Sequence, residues 1–282
     1  MVWQYILYFF LYAALGWAAE VCFAAWKERR LVNRGFLNGP LCPVYGFGMA
    51  AMLLLLAPWQ GNVLAVFAGG MAITTLIEWL AGWLLYKLFR ARWWDYSHLP
   101  FNIGGFVCLP FSLLWGAASV VMLLAVHPPI ARLAAAIPPG VLRAVDIVLL
   151  CLLAADAAGS AAAAFGLQRR LRQLEEVRAA LRRASDQLTR VVGTGALTAD
   201  ELLDEGRLKL ALARLEGRDN AAEALAQLKA RRAEAADRYR DTVARLKRHR
   251  FFGAGRLLRA FPDLKSLDHA EVLDRLKRLL KK

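Results

Sequence analysis

The feature that most constrains this chain is a series of five long apolar runs. They cover residues 2–26, 42–57, 63–89, 106–126 and 141–165. A helix needs roughly 20 apolar residues to cross the hydrocarbon core of a bilayer, and every run except the second reaches that length. The second run must tilt, sit in a thinned bilayer or enter without crossing. The sequence therefore predicts an all-α, polytopic membrane protein with about five transmembrane helices.

Charge is unevenly distributed and defines a second region. Residues 1–166 hold 9 of the 37 Lys and Arg residues and 6 of the 23 Asp and Glu residues. The net charge is therefore +3 for residues 1–166 and +11 for residues 167–282. The predicted organisation is a transmembrane domain over residues 1–166 followed by a basic, water-soluble tail over residues 167–282.

Basic residues also predict the orientation of the chain. The segments after the first and third runs contain Lys27, Arg29, Arg30, Arg34, Lys87, Arg90 and Arg92. The segment between the second and third runs has no Lys or Arg, and the next outer segment has only Arg132 and Arg143. Because Lys and Arg are enriched in cytoplasmic loops, we expect the N-terminus outside and the tail inside the cell.

Two loops form the predicted site because they combine helix-breaking residues with polar side chains. The loop after the first run, with the start of the next, contributes Asn33, Arg34, Gly35, Asn38, Gly39, Pro40, Pro43 and Tyr45. The loop after the third run contributes Trp94, Asp95, Tyr96, Ser97, Asn102 and Gly104. Such irregular backbone at a membrane edge is tolerated where it is buried in protein or lines a wet cavity. The alternative to a binding site is a pair of tight turns stabilised by Asn side chains.

Acidic residues within the apolar runs add to the predicted site. Glu20 lies in the first run and Glu78 in the third, and the fifth contains Asp146 and Asp156. An ionised side chain at this depth costs about 2.5–3.5 kcal/mol on insertion scales, so each acid should face protein or water. Each either contacts a ligand or ion, pairs with a loop arginine, or binds a proton. We include Glu20 and Glu78 among the candidate binding residues.

The first two runs and the next two share a loose pattern. Each pair has a Glu in its first run, basic and aromatic residues after it, and then Asn, Gly, Cys and Pro before the second run. Both pairs cross the membrane in the same order, which predicts a weak two-plus-two parallel repeat about an axis along the membrane normal.

The tail is predicted to be helical. Residues 167–250 have coiled-coil-like apolar spacing, and residues 251–282 form a separate terminal segment. In that segment Phe251, Phe252, Leu257, Leu258 and Phe261 stand among arginines, so they either lie on the inner leaflet or dock under the membrane loops. The tail lacks any nucleic-acid motif and has interspersed acids, which argues against nucleic acid as a partner.

The sequence predicts neither a metal site nor a bound cofactor. Cys22, Cys42, Cys108 and Cys151 lie in or beside apolar runs, without C-x-x-C spacing and without His or carboxylate partners at ligand spacing.

The loop motifs resemble those of the bacterial membrane proteins called putative ABC-transporter type IV, or CmpB-like. The resemblance is carried by Gly16, Trp17, Glu20, residues 33–40, 42–48 and 94–97, Asn102, Gly104, Cys108, Trp115 and Gly116. Residues 257–262 with Lys265 and Ser266 resemble the C-terminal signature of that family. One departure is Tyr86, at a place where the family often has an acid. The resemblance implies a multi-pass protein of the bacterial inner membrane with a role in transport.

Three functions are hypotheses at this stage. The first is a permease or substrate-binding subunit, with a cavity between the first and third helices above the two cytoplasmic loops. The second is a membrane scaffold or regulator whose tail recruits a cytoplasmic partner. The third is a membrane-interface enzyme using Asp95, His98, Cys42 and Arg34, although these residues show no triad spacing.

The predicted partners follow from these hypotheses. The lipid bilayer is common to all three, and a homo-oligomer is left open. A transport role requires a separate ATPase, because the chain has no G-x-x-x-x-G-K-[ST] phosphate loop. We expect no catalytic activity from the chain itself.

Overall fold

The computed structural model describes residues 2–29, 31–192, 222–248 and 253–281. The described part is mostly helical, with four two-residue strands. It forms two compact units. Unit 1 comprises residues 1–165 and 251–268, and unit 2 comprises residues 166–250 and 269–282.

The helices and strands follow one another in a simple order. The helices are α1 (Val2–Glu28), α2 (Pro43–Leu55), α3 (Val63–Phe89), α4 (Leu109–Val121), α5 (His127–Ala135), α6 (Pro139–Val192), α7 (Ala222–Arg248), α8 (Ala254–Ala260) and α9 (Ala270–Lys281). A 3₁₀ turn at Ala57–Trp59 follows α2, and a π-helical turn at Met122–Val126 joins α4 to α5. The strands are β1 (Ala91–Arg92), β2 (Asn102–Ile103), β3 (Val107–Cys108) and β4 (Lys265–Ser266). Strand β1 pairs antiparallel with β4, and β2 with β3.

Three described helical stretches are long and apolar enough to cross a membrane. They are Val2–Lys27, Val63–Phe89 and Leu109–Ala135, the last of which joins α4, the π-helical turn and α5. Helix α2 has 13 residues, so it is about 20 Å long and shorter than the hydrocarbon core of a bilayer. The chain is therefore a helical membrane protein, and the full count of five spans remains a prediction.

The outer face of α3 shows why this domain needs lipid. Leu76, Leu80, Leu84 and Leu88 recur every fourth residue and are all exposed. Residues four apart lie on one helix face, so they form a continuous apolar stripe. Such a stripe is unfavourable in water and is well solvated by acyl chains.

The fourth run extends further than the sequence indicated. We expected it to end at residue 126, but the helix continues to Ala135 through Pro128 and Pro129. Proline lacks a backbone donor and is tolerated in the first turn of a helix. Here both prolines lie at the start of α5, directly after the π-helical turn.

The two halves of the predicted repeat share several local backbone features. Helices α1 and α3 each have 27 residues, and each is followed by an arginine with positive φ, Arg29 at 52° and Arg90 at 49°. Helices α2 and α4 each have 13 residues, an extended Cys N-cap (Cys42 and Cys108) and a proline in the first turn. A common origin of the two halves remains a prediction.

Unit 2 is built around an apolar stripe on the second part of α6. Leu167, Leu171, Leu174 and Leu181 are buried there. Arg178 of α6 forms an ion pair with Glu271 at the start of α9. Within the predicted coiled-coil region 167–250, residues 193–221 and 249–250 lie outside the described part, so the coiled coil remains a prediction.

The terminal segment is divided between the two units. The described residues 253–268 belong to unit 1, and residues 269–281 belong to unit 2. The predicted domain boundaries stay a prediction. The chain thus leaves unit 1 after residue 165, passes through unit 2 and returns to unit 1 at residue 251.

Candidate functional site

The first loop, residues 31–42 (loop 1), is organised by Asn33. Its side-chain carbonyl accepts hydrogen bonds from the indole N–H of Trp17 and from the backbone N–H of Gly35, both at 2.9 Å. Its amide group donates to the carbonyls of Leu37, at 3.4 Å, and Asn38, at 2.9 Å. Asn33 therefore uses both polar ends to fold the loop back on itself, as expected for the tight-turn alternative.

Helix α6 supplies an anion that holds the middle of loop 1. Asp156 Oδ1 accepts from the backbone N–H and the side-chain amide of Asn38, each at 3.0 Å, and Asp156 Oδ2 accepts from the Gly39 N–H at 2.7 Å. The hydroxyl of Ser160 also donates to Asp156 Oδ1 and accepts from the Asn38 amide. A Cβ at Gly39 would lie 3.0 Å from Asp156, so glycine allows this close approach.

The second loop, residues 90–108 (loop 2), is fixed by its own side chains. Asn102 donates to the carbonyls of Ser97 and Leu99 and accepts from the Gly105 N–H. Trp94 donates its indole N–H to the Phe106 carbonyl at 2.8 Å. Gly104 has a φ of 61°, and its carbonyl accepts from Arg92 at 2.9 Å.

The two membrane acids are each held by aromatic donors. The Tyr45 hydroxyl donates to Glu20 Oε1 at 2.7 Å. Glu78 accepts from the Tyr96 hydroxyl at 3.3 Å and from the Trp115 indole N–H at 3.1 Å. Neither acid forms an ion pair with Lys or Arg among the described residues, so the loop-arginine alternative gains no support.

An aromatic contact joins these two acid sites. The rings of Tyr45 and Trp115 meet edge to face with their centroids 5.7 Å apart. Glu20, Tyr45, Trp115 and Glu78 thus form one continuous chain of contacts from α1 through α2 and α4 to α3. We call it the carboxylate–aromatic chain.

Glycine makes room for this chain at α1. A Cβ at Gly16 would lie 2.2 Å from Cγ of Tyr45, closer than two non-bonded carbon atoms can approach. Because Gly16 has no side chain, the ring of Tyr45 packs directly on the α1 backbone one turn before Glu20. The spacing of Gly16 and Glu20 therefore positions the hydrogen bond between Tyr45 and Glu20.

Residues 253–268 (the tail clasp) dock on both loops. At loop 1, the Arg256 guanidinium donates to the carbonyls of Gly35, at 2.8 Å, and Phe36, at 2.6 Å. Arg256 is only 6% exposed, and burial lowers the pKa of its guanidinium. Arginine remains charged even so, because its ordinary pKa is above 12. This charge-assisted fork satisfies two carbonyls that loop 1 leaves without partners within itself.

The other end of the tail clasp binds loop 2. Strand β4 pairs with β1, and Lys265 donates to Asp95 Oδ2 at 2.6 Å. This hydrogen bond, aided by Ser97, holds the pKa of Asp95 well below its usual range. The Leu267 N–H donates to the Arg90 carbonyl, and the Arg90 guanidinium binds Asp268.

Apolar contacts support the same docking. Leu257 of the tail clasp is fully buried and Leu258 is 5% exposed. The ring of Phe261 meets Trp93 edge to face at 4.8 Å, and Trp93 in turn meets Phe36 of loop 1 at 5.2 Å. For Phe261 the contact with Trp93 supports the docking alternative. Leu257 and Leu258 are buried, which favours docking over an exposed position on the leaflet. Phe251 and Phe252 lie outside the described residues.

The predicted residues divide into three groups. Asn33, Gly35, Asn38, Gly39, Asp95, Ser97, Asn102, Gly104 and Trp94 hold the loops or the tail clasp. Glu20, Tyr45, Glu78 and Tyr96 lie in or on the carboxylate–aromatic chain. Arg34 is half-buried with its guanidinium 6.0 Å from the Phe23 ring centroid, Pro40 is exposed, and Pro43 starts α2.

The residues of the enzyme hypothesis are not joined by contacts. His98 is exposed, Cys42 is buried at the start of α2, and Asp95 is bound to Lys265. No hydrogen bond or ion pair between described residues connects these side chains to one another or to Arg34.

Sequence reasoning missed several partners of the loops. Asp156 was noted as a membrane acid but not as the ligand of loop 1, and neither Ser160, Arg256 nor Lys265 was assigned a contact. One signal was present for Arg256, since an arginine within an apolar segment needs hydrogen-bond acceptors if it is buried.

One comparison with known proteins gives a match. A family model described as putative ABC-transporter type IV matches residues 7–161, which include both loops and the carboxylate–aromatic chain. Neither the curated proteins nor the solved structures give a match to this chain.

Proposed function

From the membership of this chain in the putative ABC-transporter type IV family, we propose that it is a permease or substrate-binding membrane subunit of a transport system. In this proposal α1 and α3 border the substrate path, and the two loops form its cytoplasmic end. The protein lies in the inner membrane of a bacterial cell, with its N-terminus outside and its tail in the cytoplasm. The positive-inside distribution of Lys and Arg supports this orientation.

The observation that carries the proposal is the carboxylate–aromatic chain. Acids inside spanning helices are costly and mark ligand or ion pathways by default. Glu20 and Glu78 come from different helices, and among the described residues their side-chain donors are neutral aromatic groups. A path lined in this way favours a substrate that carries a positive charge or several hydrogen-bond donors.

The loops serve this site indirectly. The side-chain NH₂ groups of Asn33, Asn38 and Asn102 donate to the backbone of their own loops or to α6. Their role in the proposal is to hold Tyr45 and Tyr96 against the two acids. The substrate-contacting atoms are then the carboxylates and the ring edges, rather than the loop amides.

A ligand screen by thermal shift on the purified protein tests this site. Compounds that stabilise the wild type should lose at least tenfold in affinity in Glu20→Gln and Glu78→Gln, because the carboxylate charge is removed while shape is kept. Glu176→Gln is the control, since Glu176 is exposed and pairs with Arg172 four residues away. Ligand stabilisation that is unchanged in both membrane variants would refute this siting.

The partner in this proposal is a separate ATPase. It follows from the family and from the missing phosphate loop in the chain. Co-purification after crosslinking, followed by an ATPase assay with and without this chain, tests it. Recovery of no nucleotide-binding protein from cells that express the tagged full-length chain would contradict it.

A second function is supported by the connectivity of unit 2. The first segment of unit 2, residues 166–250, is joined to unit 1 at both of its ends. In a scaffold or regulator, a segment inserted into unit 1 in this way would hold the recruited cytoplasmic protein at the membrane. Deletion of residues 193–248, which keeps the tail clasp, should then abolish partner capture. An unchanged set of captured proteins would exclude the scaffold role.

A further inference from the structure

Helix α6 presents one face to the protein and the other to its surroundings. Val145, Ile147, Val148 and Leu152 are exposed apolar residues. Leu142, Asp146, Ser160 and Ala164 are buried and recur at intervals of about three and a half residues, so they lie on the inner face. Asp156, whose contacts with loop 1 are given above, is on this face as well.

Two carboxylates on this face have opposite surroundings. Asp156 accepts four hydrogen bonds, from two backbone N–H groups, one amide and one hydroxyl. Asp146, ten residues earlier and therefore about 15 Å along the helix, is 0% exposed. Neither of its oxygens has a hydrogen-bond partner among the described residues. It also forms no ion pair there.

This difference decides the charge of each group. A carboxylate that accepts several N–H and O–H bonds is stable as an anion, and Asp156 meets that condition. An ionised carboxylate that is buried without donors or a counter-charge carries a desolvation cost of several kcal/mol. The group avoids this cost by binding a proton and becoming a neutral carboxylic acid.

A metal ion does not fit the position as well as a proton does. Hard cations require about six oxygen ligands, of which Asp146 supplies at most two. No cluster of three His, Cys, Asp or Glu side chains able to hold a metal occurs in the described part of the chain. Asp146 therefore does not form a metal site with the described residues.

We propose that Asp146 is a proton-binding site in the interior of unit 1 and holds its proton at neutral pH. The site lies on a different helix from Glu20 and Glu78 and does not depend on the transport assignment. The nearest core residue on the same face, Leu142, packs in a cluster with Tyr8 and Tyr12. The Tyr12 hydroxyl is 3.0 Å from His127 Nδ1, so His127 adjoins this cluster. Tyr5 also packs against it, and Arg143 precedes Asp146 by three residues on α6.

Infrared difference spectroscopy on the full chain in lipid tests the proposal. The spectrum of the wild type minus Asp146→Asn should show the C=O stretch of one protonated carboxyl group at neutral pH. The matched variant Asp156→Asn should instead remove the two stretching bands of an ionised carboxylate. His127→Gln controls for the adjacent cluster and should leave the Asp146 band in place.

Two results would overturn the proposal. One is a difference spectrum for Asp146→Asn that shows carboxylate bands, because Asp146 would then be ionised. The other is a failure of Asp146→Asn to fold. Asn has nearly the same shape as a neutral Asp, so a protonated site should accept it with a melting temperature close to that of the wild type.

Discussion

Arg256 links the tail clasp to loop 1, near the start of the chain, through two hydrogen bonds. It is buried, and its fork geometry matches two adjacent carbonyls of loop 1. A lysine at this position would keep the charge but not the planar fork. Among the described residues no other hydrogen bond to these two carbonyls occurs, so Arg256 is the side chain that satisfies them.

We expect Arg256→Met to destabilise unit 1 markedly. The substitution leaves two buried acceptors unpaired, at about 1–3 kcal/mol each. Unfolding in detergent, followed by intrinsic fluorescence, should show a lower midpoint than for the wild type. Arg240→Met, at an exposed position, is the control and should change stability by no more than about 0.5 kcal/mol. Equal midpoints for the two variants would contradict the assigned role.

The ion pair between Lys265 and Asp95 predicts a pH dependence. The native pKa of Asp95 is below the ordinary value of about 3.9, so the pair stabilises the folded state above that pH. This stability is lost as the pH falls from about 4 through the native pKa. The melting temperatures of the wild type and Asp95→Asn should therefore differ by a constant amount above pH 4 and converge below it. A constant difference down to pH 2 would show that the pair has no such effect.

At the scale of elements, both halves of unit 1 depend on close helix contacts. A Cβ at Gly116 of α4 would lie 3.0–3.1 Å from Phe67 and Met71 of α3, and Gly16 contacts Tyr45 in the same way across α1 and α2. Small residues at helix crossings let backbones approach closely in membranes. The packing of each helix pair is therefore set by a glycine and the aromatic residue facing it.

Gly16→Ala should weaken both packing and the carboxylate–aromatic chain. The new methyl group forces the Tyr45 ring away from Glu20, and such overpacking costs about 1–3 kcal/mol. Gly48→Ala in α2 is a matched control, because a Cβ there meets no atom within 4 Å. It should be neutral or stabilise the helix by up to about 1 kcal/mol. Melting temperatures of the two variants measure the contrast, and a Gly16→Ala variant as stable as Gly48→Ala would refute it.

Local patterns predicted the elements better than the contacts between them. Apolar length and the Pro and Gly positions located the helices, and the N-terminal ends of α2 and α4 follow directly from Pro43 and Pro110. The positive φ values of Arg29 and Arg90 could not be predicted from the sequence, because arginine does not favour the left-handed backbone region. At Arg90 the conformation is held by the tail clasp, in which Asp268 is 178 positions away.

For the candidate site, too, the sequence identified residues but not the contacts between them. The acids and aromatic residues could be identified from their places in the apolar runs, because ionisable groups are costly in lipid and usually mark functional sites. Their pairing could not, since Glu78 and Trp115 are 37 residues apart and Arg256 and Gly35 are 221 apart. Periodicity reports which face of a helix is buried, but it carries no information on which distant segment covers it.

At the scale of the whole molecule, unit 1 is assembled from two pieces of chain. Residues 1–165 form its helices and loops, and the tail clasp supplies the missing donors after the chain has passed through unit 2. The first piece should therefore bind the second even without a covalent link between them.

A chain ended at residue 165 should recognise a synthetic peptide of residues 253–268. The peptide should raise the melting temperature of the truncated protein, because it restores the contacts of Arg256 and Lys265 to the loops. A peptide with Arg256→Met should bind at least tenfold more weakly, which corresponds to about 1.4 kcal/mol. Isothermal titration calorimetry measures both affinities. Equal affinity of the two peptides, or binding by neither, would contradict this assembly.

The separation of the two pieces has a consequence for biosynthesis. A ribosome makes loops 1 and 2 first, and the donors that bind them follow 170 to 221 residues later. At about 5–20 residues per second this interval is on the order of ten to forty seconds. During that time Arg256 is not yet part of the chain, and the carbonyls of Gly35 and Phe36 are open to water or to another protein. The membrane domain is therefore complete only after residues 253–268 have been translated, and not when its helices insert. A nascent chain that stalls before residue 256 would leave these carbonyls of loop 1 without their partner.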